Sequence, residues 1–311
     1  MVVTIEVRVK DHHLRAWLKV AELRSIRAAA RSLHLSQAAV TKAIKELETE
    51  LDAPLLTRSA RGIAVTECGD RLTVRARLAQ AQLTLARQDI RQLLGGAQAR
   101  VAVGVTPMVM LSVLPDVLSD FRQSMPAAKV KVSEGLLAAV QPALRNGALD
   151  FALASRMMAA SAGEHEFEFE PLRPLEFMIA CRRGHPLEGA TRWEDIRGCE
   201  WLLNVSGGSH TEAFLDGLRA QGLQEPGRVI DCDTFGVMWN LMTRSDALII
   251  CPAGMLNVRP YGGEATRIRA EVPMPVASIG IMTLRGTPLS LAAATMADFF
   301  RQRVARAALA G

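Results

Sequence analysis

Apolar residues recur at helical spacing in two short runs near the N-terminus, separated by only three residues. Ser25 is placed to cap the first run, Ile26, Ala29, Ala30 and Leu33. Ser36 is placed to cap the second, Val40, Ile44, Leu47 and Leu51. The connection His34-Leu35-Ser36 is too short for anything but a tight helix-to-helix turn. Small residues at 28–30 and 38–39 let the two helices approach closely. The opposite face of the second helix carries Gln37, Ala38, Thr41, Lys42 and Lys45, a set suited to groove and phosphate contacts. Arg58, Arg61 and Gly62 precede the alternating Ile63-Ala64-Val65-Thr66, which predicts a two-stranded wing with both arginines beside the DNA backbone or minor groove. Thr66 then caps a long helix whose apolar positions are Leu72, Ala76, Ala79, Leu83, Ala86, Ile90 and Leu93, an unbroken heptad seam. Such a helix, from 67 to 94, extends ~40 Å. The seam could pack on its own domain, but its length and alanines favour a second copy of the chain. Two recognition helices related by a two-fold axis require a roughly palindromic site. Gly95-Gly96 ends the helix as a hinge.

Beyond Arg100 the pattern changes to strands alternating with helices. Strands are expected at Val101–Val105, Val130–Glu134, Phe151–Ala154, Phe177–Cys181, Trp201–Asn204, Val229–Cys232 and Leu248–Cys251. Helices are expected from Thr106-Pro107 to Ser124, and at Ala138–Asn146, His210–Gln221 and Phe235–Thr243. The class is α/β with parallel sheets. Ligands of such sheets bind beyond the carboxyl ends of the strands. That rule nominates Thr106, Met108, Leu136 and Leu137 in one lobe, and Asn204, Val205, Ser206, Gly207, Ser209, Thr234 and Phe235 in the other. Thr106-Pro107 and Ser209-His210 are helix N-termini, where free N–H groups favour an anion. The alternative is purely structural: Ser209 with Glu212 forms a capping box, and Thr106 caps its helix. Leu136, Leu137, Met108, Val205 and Phe235 give the pocket an apolar wall, so the expected ligand is a small organic acid with an apolar or aromatic body. Met157, Met158, Met238 and Met242 are assigned to core rather than pocket.

Charge sharpens this division. Residues 1–100 carry 17 Lys and Arg against 10 Asp and Glu, while the remainder carries 20 against 22. A basic head on a nearly neutral body suits a polyanion-binding module joined to a small-molecule domain. No apolar run is long enough to span a membrane and no signal-peptide pattern precedes the head, so a cytoplasmic location without membrane contact is expected. The five cysteines, Cys68, Cys181, Cys199, Cys232 and Cys251, form no CxxC pair, and the histidines no metal-binding pair, so neither metal nor cofactor is expected. His185, in Arg183-Gly184-His185-Pro186-Leu187, reads as structural. No dinucleotide, phosphate-loop or nucleophile-elbow pattern supports an enzyme. Residues 1–10 are assigned no role.

The head resembles the DNA-binding domain of LysR-type transcriptional regulators. The matching positions are Arg24-Ser25, Ala29-Ala30, Leu33, Ser36-Gln37-Ala38-Ala39, Thr41, Ile44, Leu47-Glu48, Leu51, Leu55-Leu56, Arg58, Val65-Thr66 and Gly69. Departures are Thr41 for the usual Ser, Asp52 for the turn Gly, and Leu56-Thr57 where Phe is common. Leu114-Pro115, Gly147-Ala148-Leu149-Asp150, His185-Pro186-Leu187 and Ile250-Cys251-Pro252 are similar to the family's effector domain. The resemblance implies an N-terminal winged helix-turn-helix (1–66), a linker and dimerisation helix (67–96), and a two-lobed, type 2 periplasmic-binding-protein-like effector domain (97–311). Lobe I would take about 97–168 and 268–311, and lobe II about 169–267. The implied DNA-binding set is Ser36, Gln37, Ala38, Thr41, Lys42, Lys45, Arg58 and Arg61. Implied partners are promoter DNA, a small anionic effector, further copies as homodimer and homotetramer, and RNA polymerase. Two rivals stay open: a thiol-oxidation sensor of the same family using Cys199, and a solute-binding protein of the same two-lobed fold.

Overall fold

Caps and a buried apolar face account for the N-terminal helices. In this computed structural model the described residues are 9–59, 62–93, 99–157, 166–207, 209–258 and 261–307. Arg61, Met158, Gly95-Gly96, Gly208 and residues 1–8 lie outside them, as do the side chains of Arg58 and Leu93. Helix α2 (Ile26–Leu33) starts where the Ser25 hydroxyl accepts the Ala28 N–H at 3.2 Å. Helix α3 (Gln37–Leu51) starts where Ser36 accepts the Ala39 N–H at 3.1 Å. Between them His34 is left-handed (φ 56°) and the Leu35 N–H reaches back to the Ala30 carbonyl, which closes the tight turn. Asp52, where the family has Gly, ends α3 in the same conformation (φ 46°). Aspartate tolerates that region better than most residues.

A helix unassigned from sequence, α1 (Asp11–Leu23), completes the head. It contributes Ala16, Trp17, Val20 and Ala21 to a core shared with Ala29, Ala30, Val40, Ile44, Leu47 and Leu55. The wing forms as expected from β1 (Leu56–Ser59) and β2 (Gly62–Val65), antiparallel with Arg58 opposite Ile63. Helix α4 (Glu67–Leu93) follows, capped by Thr66, whose hydroxyl accepts the Gly69 N–H at 3.0 Å and donates to the Pro54 carbonyl at 2.7 Å. Two positions of the heptad seam have a task within the chain: Leu72, half-buried, and Ala76, buried, pack on the head's own core. Ala79, Leu83, Ala86 and Ile90 are exposed, Leu83 to 54 % and Ile90 to 57 %.

The head and α4 to Arg87 form one compact unit; from Gln88 onward, Arg145–Gly147 apart, the chain forms another. The second unit is α/β, with one nine-stranded sheet among the described residues. One side holds β3 (Arg100–Val105), parallel to β4 (Lys129–Glu134) and β5 (Phe151–Met157). The other holds β7 (Glu200–Leu203), parallel to β8 (Arg228–Asp231) and β9 (Leu248–Pro252). The sheet is mixed rather than purely parallel. The long β6 (Phe167–Arg182) and β11 (Val276–Leu284) run antiparallel through its middle, and β10 (Ala265–Ile268) pairs antiparallel with β6. β6 pairs with β11 through Glu176 and with β9 from Phe177, so one strand passes from one lobe to the other.

Helices α5 (Pro107–Ser112) and α6 (Leu114–Ser124) replace the single helix expected to Ser124; the chain breaks at Val113, just before Pro115. Next come α7 (Leu137–Arg145), α8 (Trp193–Ile196), α9 (His210–Ala220), α10 (Phe235–Met242) and α11 (Leu291–Arg306). Helix α11 buries Ala293, Met296, Ala297, Phe300 and Val304, with Phe300 edge-on to Phe151 at 6.0 Å. A second core gathers Trp193, Trp201 and Phe214. His185 is structural as expected: Nδ1 accepts the Leu187 N–H at 3.0 Å. Among the described residues no helix is long and apolar enough to cross a membrane.

Gly69 lets α4 pack tightly on the head. A Cβ there would lie 2.5 Å from the Leu55 carbonyl oxygen and 2.9 Å from the Trp17 ring. Gly69→Ala should therefore destabilise the full-length chain by about 1–3 kcal/mol. Gly189→Ala, with nothing within 4 Å of the added carbon, should be near neutral in the same thermal unfolding measurement.

Candidate nucleic-acid interface and ligand cavity

The core of the head fixes which side of α3 faces water. Val40, Ile44 and Leu47 are buried against Trp17 and the α2 alanines, so Gln37, Ala38, Lys42 and Lys45 are left exposed and Thr41 half-exposed. Five predicted residues thus share one outward face. Ser36 sits at its start, but its hydroxyl is already engaged as the helix cap. Lys42 is exposed to 77 % and lies 3.7 Å from Glu46. An ion pair this exposed contributes about 0–1 kcal/mol, so a phosphate can displace it readily. Glu46 is held from the other side by His13 on α1, whose Nε2 lies 3.0 Å away. Burial, then the neighbouring His12, holds the His13 pKa below its ordinary value. Glu48, singled out only as part of a motif, has a definite task. Its carboxylate accepts the N–H groups of Leu55 and Leu56 at 2.8 and 3.2 Å and so ties α3 to the wing. Arg58 stands on β1, while Arg61 lies outside the described residues.

In the second unit a cavity of about 260 Å³ opens where β6 passes between the lobes. Eight predicted residues line it: Thr106, Met108, Leu136, Leu137, Asn204, Ser209, Thr234 and Phe235. Val205, Ser206 and Gly207 do not. Val205 and Gly207 are exposed outside it; the Val205 N–H donates to Asp231 at 3.3 Å, and both the N–H and hydroxyl of Ser206 turn onto Asn204 Oδ1. Met157 and Met238, assigned to core, also form cavity wall, whereas Met242 is core alone. Sequence reasoning missed Glu134, Ser155, Phe177, His210, Asp233, Pro252 and Met255. The strand-end rule reached the first residues after each strand but not Phe177, which sits mid-strand at the crossover.

Side-chain chemistry separates the two expected helix N-termini. Ser209 behaves as a cap, accepting the Glu212 N–H at 3.1 Å and donating to the Asn204 carbonyl at 3.0 Å. Thr106 does not: its helix has no side-chain cap, and its hydroxyl is buried without a partner in the protein. His210 stacks on Phe177 with ring centroids 4.8 Å apart, and its Nε2 donates to the Ile250 carbonyl at 3.2 Å. Removal from water pushes its pKa down to about 4, so at neutral pH the ring is uncharged. The lining also departs from expectation in charge. Its charged members among the described residues are Glu134 and Asp233, both carboxylates.

Residues 12–70 match the family described as bacterial regulatory helix-turn-helix protein, lysR family, and residues 94–305 match the LysR substrate binding domain. The chain is 29 % identical over 290 residues to the HTH-type transcriptional regulator GalR of Pseudomonas putida, covering 93 % of this chain and 72 % of that one. It is 24 % identical over 294 residues to TdcA of Escherichia coli K12, an HTH-type transcriptional regulator, covering 94 % and 93 %. Full-length CbnR, solved in complex with its target DNA, superposes with a TM-score of 0.63 at 20 % identity, covering 94 % of this chain and 99 % of that one.

The uncharged state of His210 has a consequence for stability. In the unfolded chain a histidine takes up its proton near pH 6.5, but here only near pH 4. The stabilisation from keeping it neutral is complete above pH 6.5 and is lost as pH falls towards 4. The unfolding midpoint should drop across that window, and His210→Phe, which keeps a ring on Phe177, should flatten that part of the profile.

Proposed function

Because the chain belongs to the LysR family of bacterial helix-turn-helix transcriptional regulators, we infer that α3 is its recognition helix and that the cavity between the lobes holds its effector. DNA binding by the N-terminal domain, and an effector-binding domain after it, are properties of the family. The residue assignments are our own reading. Gln37 and Thr41 would meet base edges, Gln37 as a bidentate partner of adenine and Thr41 through its methyl group to a thymine methyl. Lys42, Lys45 and Arg58 would meet phosphates, with Ala38 giving the clearance for close approach. The observation that carries this reading is the exposed polar face of α3, clamped from behind by the Trp17 core.

Exposed Ala79, Leu83, Ala86 and Ile90 leave an apolar stripe on α4 suited to a second copy, so the dimer contact is assigned to these four rather than to Leu72 and Ala76, with Leu93 outside the described side chains. A two-fold pair would place two α3 helices on half-sites a whole number of turns apart. Effector binding can shift such an assembly only by favouring one arrangement of the lobes over another. Pairing of dimers into tetramers and contact with RNA polymerase complete the proposal.

Thiol sensing is the weaker reading. A redox-sensing cysteine needs thiolate character. Burial pushes the Cys181 thiol up to about 11 and also raises Cys199. Cys199→Ser should leave regulation of a reporter promoter, with and without peroxide, unchanged.

On the DNA side, Lys42→Ala should weaken binding to all sequences alike and reduce the slope of log K against log salt by about 1. Gln37→Ala should instead relax preference at one base pair, at about 1–3 kcal/mol of discrimination. Competition binding over a set of single-base operator variants separates the two; equal losses on every variant would contradict the role given to Gln37.

A further inference from the structure

We infer that the effector of this cavity carries a cationic head, an ammonium group on an apolar body, rather than the carboxylate expected from the helix N-termini. The inference rests on the reading of the cavity as the effector site and specifies its ligand.

Charge is the first observation. Among the described lining residues there is no lysine or arginine, and the ring of His210 is uncharged at neutral pH. Glu134, at the end of β4, and Asp233, just before α10, bring one carboxylate from each lobe. Both side chains are exposed while lining the cavity, and neither has an ion-pair partner among the described residues. A carboxylate ligand would have to sit beside two like charges with no counter-charge in the wall. An ammonium would answer both.

The side chains beside the longer of the two helix N-termini, Ser209 and Asn204, are taken up within the protein. Ser209 spends its hydroxyl on the Glu212 N–H and the Asn204 carbonyl. The Asn204 side chain is tied to the Asp233 carbonyl and to Ser206. Helix α5 has only six residues, too few for much of a dipole.

An independent observation points to a ligand in the same space. Thr106 lines the cavity, is only 4 % exposed, and its hydroxyl has no hydrogen-bond partner in the protein. A buried polar atom left unpaired is costly, and a ligand group that bonds to it removes the cost. Met108, Leu136, Phe235, Met238 and Met255 supply the apolar wall for the rest of the molecule. The aromatic faces of Phe177 and Phe235 tolerate a cation. A volume of about 260 Å³ lies just below the range of drug-sized pockets, which suits a ligand of roughly ten non-hydrogen atoms. Because Glu134 and Asp233 come from different lobes, one cation between them would favour the arrangement that brings them together, as a regulatory ligand must.

The test is calorimetric titration of the full-length protein with two charge-inverted pairs, 2-phenylethylamine against 3-phenylpropanoate and hexylamine against heptanoate. At least one amine should bind and its matched acid should not. Glu134→Gln and Asp233→Asn should each weaken the amine by roughly three- to tenfold, and Thr106→Val should weaken it as well. Binding of the acids in preference to the amines overturns the inference, as does failure of all four to bind. Leu136→Trp, a filling substitution at a half-buried wall position, separates this failure from failure of the underlying reading. If an acid binds and Leu136→Trp abolishes it, the cavity remains the effector site and only the charge is wrong. If a bound probe is indifferent to Leu136→Trp and to both carboxylate substitutions, the cavity itself is not the site.

Discussion

The head of the molecule depends on one constraint: α3 is held from behind so that its polar face stands outward. Val40 and Leu47 are fully buried and Ile44 nearly so, against Trp17, Ala29 and Ala30. Trp17 is in turn fixed by its indole N–H, which donates to Thr73 on α4 at 3.1 Å. Glu48 spans from α3 to the start of the wing, and Thr66 closes the other end of the wing onto α4. Helix α3, the wing and the base of α4 therefore share one set of contacts. A displacement of any one of them costs hydrogen bonds and packing in the other two, which is the rigidity that the proposed base contacts require.

A comparable economy governs the effector half. Because β6 belongs to both lobes, the lobes meet at a strand crossover, and Phe177 lies at that point. The cavity is built there from the ends of β4, β5 and β9 and the starts of α5, α9 and α10. Strand ends bring polar atoms, and the helices bring apolar flanks. The outcome is a mostly apolar chamber with a small number of polar groups, among them an unpaired hydroxyl and two carboxylates.

The helix-turn-helix was legible because caps and a 3.6-residue period coincide at Ser25 and Ser36. Helix α1 was not, although Ala16, Trp17, Val20 and Ala21 recur at that spacing, because Lys10 supplies no side-chain cap to mark its start. The sequence pattern predicts no element for the first half of β6, which carries two prolines, Pro171 and Pro174. The sheet tolerates both, since β6 bulges against β11 around Ile279 and Gly280. Seam residues Leu72 and Ala76 obey the heptad but serve the head, since the first turns of any helix entering a domain must bury a face there. In the cavity, the strand-end rule found eight residues. The same rule nominates 205–207, which lie off the cavity, because the bonds of Val205 to Asp231 and of Ser206 to Asn204 are invisible in the sequence. The cavity's charge was equally hidden: Glu134 and Asp233 are about a hundred residues apart, and only the crossover of the sheet brings them to one chamber.

Methylation interference on the intergenic DNA beside this protein's own coding sequence shows directly whether α3 enters the major groove. Methyl groups at guanine N7, on the major-groove edge, should block binding by the full-length chain in two clusters separated by a whole number of helical turns. Interference confined to adenine N3 in the minor groove, or a single cluster with no partner, would contradict it.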